Sequence, residues 1–189
     1  MTLSTRITAA VVLLFVMAAA PLAQRKGYLL FTDPSRRYSV EFPTGWDWTI
    51  VEGAGEALST FIHPKKEAAI VVERFRMKQV LEQDDITDIF GEAEATTLKE
   101  NQPKASDVSA RVIVQGGKKF VQIDYKRPAA IGEPGKVPDE RVRQYSFPVK
   151  GNLYRITCFS LAMAFPKYEA AFQWVAESLK SADQLQAAK

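Results

Sequence analysis

His63 is the single histidine of the chain, and a Ser-His-Asp arrangement built on it would draw its hydroxyl from the strand neighbours Ser59 or Thr60. No Gly-x-Ser-x-Gly elbow and no glycine pair placed for an oxyanion site accompanies it, so a histidine followed by Pro64 reads as a structural or solvated residue. A hydrolase-type enzyme centred on His63 is kept as an alternative. Cys158 is the single cysteine, which rules out an intramolecular disulfide, and within LYRITCFSL it reads as a small buried hydrophobe. One cysteine and one histidine, 95 positions apart, exclude a structural zinc site. The acidic group Glu82, Asp84, Asp85 and Asp88 lacks the alternating spacing and central glycine of a calcium loop and suits helix capping instead. Gly53-Ala54-Gly55 has no following Lys-Ser/Thr pair and reads as a turn rather than a phosphate cradle. No catalytic constellation, cofactor site or metal site is expected.

Groups able to hold a partner are denser. Lys126, Arg127, Lys136, Arg141 and Arg143 gather around Arg127 to Asp139 (RPAAIGEPGKVPD), a surface loop stiffened by three prolines. Arg141 and Arg143 share a strand face, where guanidinium forks suit the carboxylates of a protein partner or lipid phosphates at a membrane surface. The same charges also suit an edge strand protected from aggregation. Trp46 and Trp48 are two apart and so share a strand face, which suits a stacking platform for a sugar or a partner. Trp174 falls off the apolar stripe of the last helix and reads as the margin of the core.

Composition narrows the class. With 47% hydrophobic and 25% charged residues the chain is an ordinary globular protein, which excludes disordered, collagen-like and multi-span membrane classes. A formal charge of +3, from 25 basic and 22 acidic residues, gives no clustered field for a polyanion, so nucleic acid is not an expected partner. Arg6 precedes the apolar run Ile7 to Ala20, and residues 1–23 read as a removable export signal, cut after Ala23. That run is shorter than the ~20 apolar residues of a spanning helix, and no cysteine ends it for lipid attachment. Residues 24–189 are then one domain, expected in a periplasm or outside the cell.

These residues must be positioned by short antiparallel elements. Alternation predicts strands at Tyr38 to Phe42 and Trp46 to Val51, paired as a hairpin across Pro43-Thr44-Gly45, after a short lead-in from Gln24 to Asp33. Further strands follow at Ser59 to His63 and Ala68 to Phe75. Helical spacing of Ile86, Ile89, Phe90, Ala93, Thr97 and Leu98 predicts a helix over Asp85 to Asn101, capped by Asp84 or Asp85 and stopped by Pro103. Gly116-Gly117 joins strands Ser109 to Gln115 and Lys118 to Lys126, and strands Glu140 to Val149 and Leu153 to Leu161 follow. The last helix begins at Phe165 with Pro166 in its first turn, and buries Tyr168, Ala171, Phe172, Val175 and Leu179. The polar tail from Ala182 frays. Strands joined by short turns, with two helices to cover them, make an α+β fold on an antiparallel sheet.

Three segments, RYSVEFPTGW (Arg37 to Trp46), GNLYRITCFS (Gly151 to Ser160) and YEAAFQWVAESLKS (Tyr168 to Ser181), resemble the PsbP family. The resemblance implies a three-layer α/β/α sandwich around a bent antiparallel sheet of about 6–8 strands with two main helices. It also implies exported, extrinsic accessory proteins that act through contact, photosystem II subunits of the thylakoid lumen among them, and it transfers no binding residue. A non-enzymatic accessory protein is the leading expectation; a carrier of a small apolar ligand is a further alternative.

Overall fold

The computed structural model describes residues 25–53, 56–129 and 139–187. The expected export signal and Lys136 lie outside them. Seven strands form the main sheet in the order β3-β4-β5-β9-β8-β7-β6, every neighbouring pair antiparallel. They are β3 (Asp47–Gly53), β4 (Glu56–Ile62), β5 (Ala68–Arg76), β6 (Ser106–Gln115), β7 (Lys118–Pro128), β8 (Asp139–Val149) and β9 (Asn152–Leu161). A three-stranded sheet, β1-β2-β10, is built from β1 (Tyr28–Thr32), β2 (Tyr38–Pro43) and β10 (Lys180–Ser181). Helices α1 (Asp88–Asn101), α2 (Phe165–Ser178) and the short α3 (Ala182–Ala187) complete an α+β fold.

Residues directly opposite one another in antiparallel ladders point to the same side, so the register sorts the main sheet into two faces. One row runs Trp48, Phe61, Ile70, Cys158, Arg143, Asp124, Ser109 from β3 to β6. This is the inner face, covered by α2 and the small sheet: Phe31 and Phe42 pack their rings on Phe61 at 5.3 and 4.6 Å. The parallel row Thr49, Thr60, Val71, Thr157, Gln144, Ile123, Ala110 belongs to the outer face. There α1 packs on β6 and β7.

The small sheet departs from the expected pairing. The lead-in contains β1, which pairs with β2 from Tyr28↔Pro43 to Thr32↔Ser39, whereas β3 pairs with β4 and not with β2. Arg36, at φ 53, makes the tight turn, and the buried Asp33 carboxylate clamps it through Arg37 Nε and a second guanidinium nitrogen, both at 2.8 Å. Gly45, at φ 83, takes the left-handed conformation that only glycine adopts freely, and there the chain leaves β2 for the main sheet. Trp46 therefore precedes β3 and is buried, while Trp48 is 55% exposed; the two do not form one platform. The tail is also ordered, with β10 pairing on the free side of β2 and α3 following it.

Helix α1 is rotated from its expected phase. Its cap is Thr87, whose hydroxyl accepts from Phe90 N at 3.3 Å, while Asp84 and Asp85 sit in a separate single turn of 3-10 helix at Gln83–Asp85. Gly91 and Leu98 face the sheet, and Ile89 is 78% exposed, with Ala93 and Thr97 also outside. Glu94 reaches Arg155 of β9 at 3.2 Å, which helps fix this rotation. Helix α2 keeps its expected stripe, burying Tyr168, Phe172 and Val175, with Leu179 buried just beyond its end and Ala171 half-buried.

Candidate functional site

Register divides the expected basic cluster. Lys126, Arg141 and Arg143 lie on the inner face and Arg127 on the outer one, since neighbours along a strand point to opposite sides. Lys126 Nζ pairs with Asp107 at 2.7 Å, and the Arg127 guanidinium pairs with Glu140 at 3.0 Å while lying 4.9 Å over the Phe159 ring. Arg141 lies 4.6 Å over Phe165 of α2. Arg143 is 7% exposed; its Nε donates to Asp124 at 2.7 Å and a terminal nitrogen to Glu169 of α2 at 2.6 Å. Burial works against its charge, but Asp124 and then Glu169 raise its pKa above the ordinary guanidinium value. Its guanidinium is therefore a joint between α2 and the sheet rather than a fork open to a partner.

The imidazole alternative meets a similar obstacle. Ser59 is fully buried, and its hydroxyl oxygen accepts from Tyr38 OH at 2.6 Å, a link between β4 and β2. Burial holds the Tyr38 phenol up at about 12. His63 follows the end of β4, with its ring 5.6 Å from Trp46 and 5.3 Å from Tyr168, and Nδ1 accepts from Lys65 N at 3.3 Å. No hydrogen bond joins Ser59 to His63 among the described residues. The nearby Glu67 carboxylate accepts from Tyr168 OH at 2.6 Å and Lys167 Nζ at 3.1 Å, and the first of these lowers its pKa. Ser59→Ala should leave the Tyr38 hydroxyl buried without its partner and cost about 1–3 kcal/mol in urea denaturation. Adding Tyr38→Phe should recover part of that loss, and full stability of the single variant would show that the bond contributes nothing. Cys158 is also fully buried, and burial pushes its thiol far up.

The outer face holds the first surface of functional interest. Along the row from Ala110 to Thr49, Ile123 and Gln144 are buried, Thr157, Val71 and Thr60 are half-buried, and Thr49 is exposed. The next row repeats the gradient: Val121 and Ser146 are fully buried, Leu58 is half-buried and Val51 is 57% exposed. Helix α1 covers the β6–β8 end, so the β3-β4-β5-β9 end presents Val51, Leu58, Ile62, Val71, Phe159 and Leu161 between threonines. The Arg127–Glu140 pair lies beside Phe159 and Leu161 at its border.

A cavity of about 600 Å³ lies on the other side of the main sheet, where α2, the small sheet and the β6–β7 turn meet. Leu30 and Trp174 supply apolar wall; Glu41, Lys118, Lys180, Ser178 and Gln184 supply polar groups. Glu41 is buried, and its Oε2 accepts from Trp174 Nε1 at 3.0 Å and from Arg25 N at 3.4 Å. The Arg25 guanidinium lies 4.9 Å over the Trp174 ring and 5.4 Å over Tyr28. Lys118 Nζ donates to the carbonyl oxygens of Glu177, at 2.8 Å, and Leu179 at the C-terminal end of α2. Burial, aided by the nearby Lys180 ammonium and opposed by Glu177, holds the Lys118 amine down at about 8. Trp174 was legible as a stripe-edge residue; the cavity walls that face it come from β1, β2 and the β6–β7 turn, far away in sequence, which no local pattern signals.

Two sheets and their helices, in this order, form a PsbP-like fold. The cyanobacterial PsbP protein CyanoP of Synechocystis sp. PCC 6803 superimposes with a TM-score of 0.59 at 15% identity, over 87% of this chain and 98% of that one. LpqN of Mycobacterium tuberculosis, described as involved in cell envelope biogenesis, gives 0.48 at 13% identity over 81% and 89%. PA94 of Pseudomonas aeruginosa, a protein of unknown function, gives 0.46 at 18% identity over 80% and 94%. No protein-family model and no curated protein sequence matches the chain. Among the described residues no helix is long and apolar enough to cross a membrane.

Proposed function

We propose that this chain is an exported, non-enzymatic accessory protein that works by contact with a protein partner, and that the uncovered end of the outer sheet face is the contact surface. The burial gradient from Ile123 to Thr49 along one ladder row carries this reading. An antiparallel sheet can leave one face to water, but a cluster of exposed aliphatic positions rimmed by polar ones is the kind of surface that partners cover. Strand spacing and rise make the four-strand patch roughly 19 Å by 17 Å, on the order of 300 Å², which suits a small, reversible contact. The Arg127–Glu140 pair at its border contributes a charged rim. The export reading rests on residues 1–23 of the sequence.

The test is photo-cross-linking in the native compartment with a reactive residue at Val51, at Leu161, and at the exposed Ile89 of α1 as control. The first two positions should give the same adduct and Ile89 none. Absence of an adduct from the sheet positions, or equal labelling from Ile89, would remove the sheet face as the contact surface. The intact mass of the recovered protein should begin at Gln24; retention of residues 1–23 would remove the signal-peptide assignment.

A further inference from the structure

The cavity beside Trp174 lies on the inner side of the main sheet and is independent of the contact face. Its charges are unevenly satisfied. Glu41 is compensated by the Trp174 indole N–H and the Arg25 amide, and Arg25 already occupies the face of Trp174 where a cationic ligand would stack. A cationic guest is therefore disfavoured. Two amines line the same cavity, Lys118 of β7 and Lys180 of β10, the latter on the same side of the small sheet as Glu41, and the Lys180 charge works against that of Lys118. Neither is in an ion pair among the described residues; Lys118 donates to two carbonyl oxygens and lies 5.9 Å over the Phe147 ring, leaving one of its three donors over, with the Glu177 carboxylate also in the lining. Of the two carboxylates three positions either side of Lys180, Asp183 is paired with Lys150 at 3.6 Å, and Glu177 accepts from Gln173 Nε2 at 3.0 Å. An oxyanion placed between the two amines would relieve their repulsion, and Leu30 and Trp174 would shelter an attached apolar body. The volume of about 600 Å³ falls in the range that encloses a small organic ligand.

We propose that this cavity binds a small amphiphile with an oxyanion head, the head lying against Lys180 and Lys118 and the apolar body against Leu30 and Trp174. The carboxylate and phosphate forms of the head share this chemistry, and the experiment separates them. Purified protein is loaded with 1-anilinonaphthalene-8-sulfonate and titrated with decanoate, decyl phosphate, decanol and decyltrimethylammonium below their micelle concentrations. Decanoate, decyl phosphate or both should displace the dye saturably at one site, and the tighter of them assigns the head. Decanol and decyltrimethylammonium should bind about tenfold more weakly or worse, as expected when a head-group contact is lost. Lys180→Glu and Lys180→Gln should each weaken the anionic ligand by about tenfold with an unchanged melting temperature, while Lys180→Arg should retain it. Equal binding of all four head groups, unchanged affinity in Lys180→Gln, or no saturable displacement would overturn the site. None of these results would alter the cross-linking pattern at Val51 and Leu161.

Discussion

Arg143→Met should lower the stability of the folded chain by about 3 kcal/mol, because it leaves Asp124 inside the fold without the cation that offsets its charge. For a domain of this size that loss corresponds to a fall of roughly 6–12 °C in melting temperature. The structural reason is the two-pronged bond of one guanidinium to Asp124 on the neighbouring strand and to Glu169 on α2, beneath which lies the Phe165 ring at 5.4 Å. Arg143→Lys should recover only part of the loss, since a single ammonium cannot present the planar fork that reaches both carboxylates. Replacing Asp124 as well, by Asn, should give a double variant more stable than the sum of the single effects predicts, which a double-mutant cycle measures. A melting temperature for Arg143→Met equal to that of the parent would mean that the pair is not holding α2 to the sheet. Arg141→Glu, by contrast, alters a half-exposed group on the same face with no carboxylate partner among the described residues, and should move the melting temperature little.

Phe61→Ala should cost about 3–5 kcal/mol, the range for deleting a fully buried aromatic side chain. Phe61 is wholly buried in β4 and is the point where the small sheet rests on the large one, touching Phe31 of β1 and Phe42 of β2. The damage should be uneven. Amide exchange in β1 and β2 should accelerate far more than in β7 and β8, which keep Phe120, Tyr145 and Phe147 as their own aromatic core. Phe61→Leu should retain most of the stability and the slow exchange of β2. Uniform acceleration across both sheets would show that they open as one unit and that Phe61 is not a separate joint.

Much of this architecture was legible, and the failures have physical causes. The Gly116-Gly117 hairpin and the α2 stripe follow from local backbone freedom and from one strong period, and both stand in the structure. Turn chemistry at Pro43-Thr44-Gly45 marked where β2 stops but not which strand pairs with it; β3 instead turns back on β4 as a hairpin, with Trp48 opposite Phe61, and β2 pairs with β1. Strand β1 was hidden because YLLFT has no alternation. For α1, the apolar spacing pointed Ile89 inward, yet the Thr87 cap and the Glu94–Arg155 pair rotate Gly91 and Leu98 to the sheet. The basic cluster was visible as composition, and the adjacency of Lys126 and Arg127 already implied opposite faces. The burial of Arg143 was not visible, because it depends on Glu169 arriving from a helix 26 positions away. The open sheet face was equally hidden, since it is defined by where α1 comes to rest.

The central strand of the small sheet, β2, is clasped by β1 on one side and by Lys180–Ser181 on the other. The amide of Glu41 also donates to Ser178 Oγ, 137 positions later. A ribosome or translocation pore releases residues in order, so β2 is obliged to wait, half-paired, through most of the chain's emergence before its final neighbour is delivered. Closure of this sheet is thus the last step of its assembly: a polypeptide cut just before Leu179 holds all seven strands of the main sheet but leaves the Ser39 edge of β2 bare.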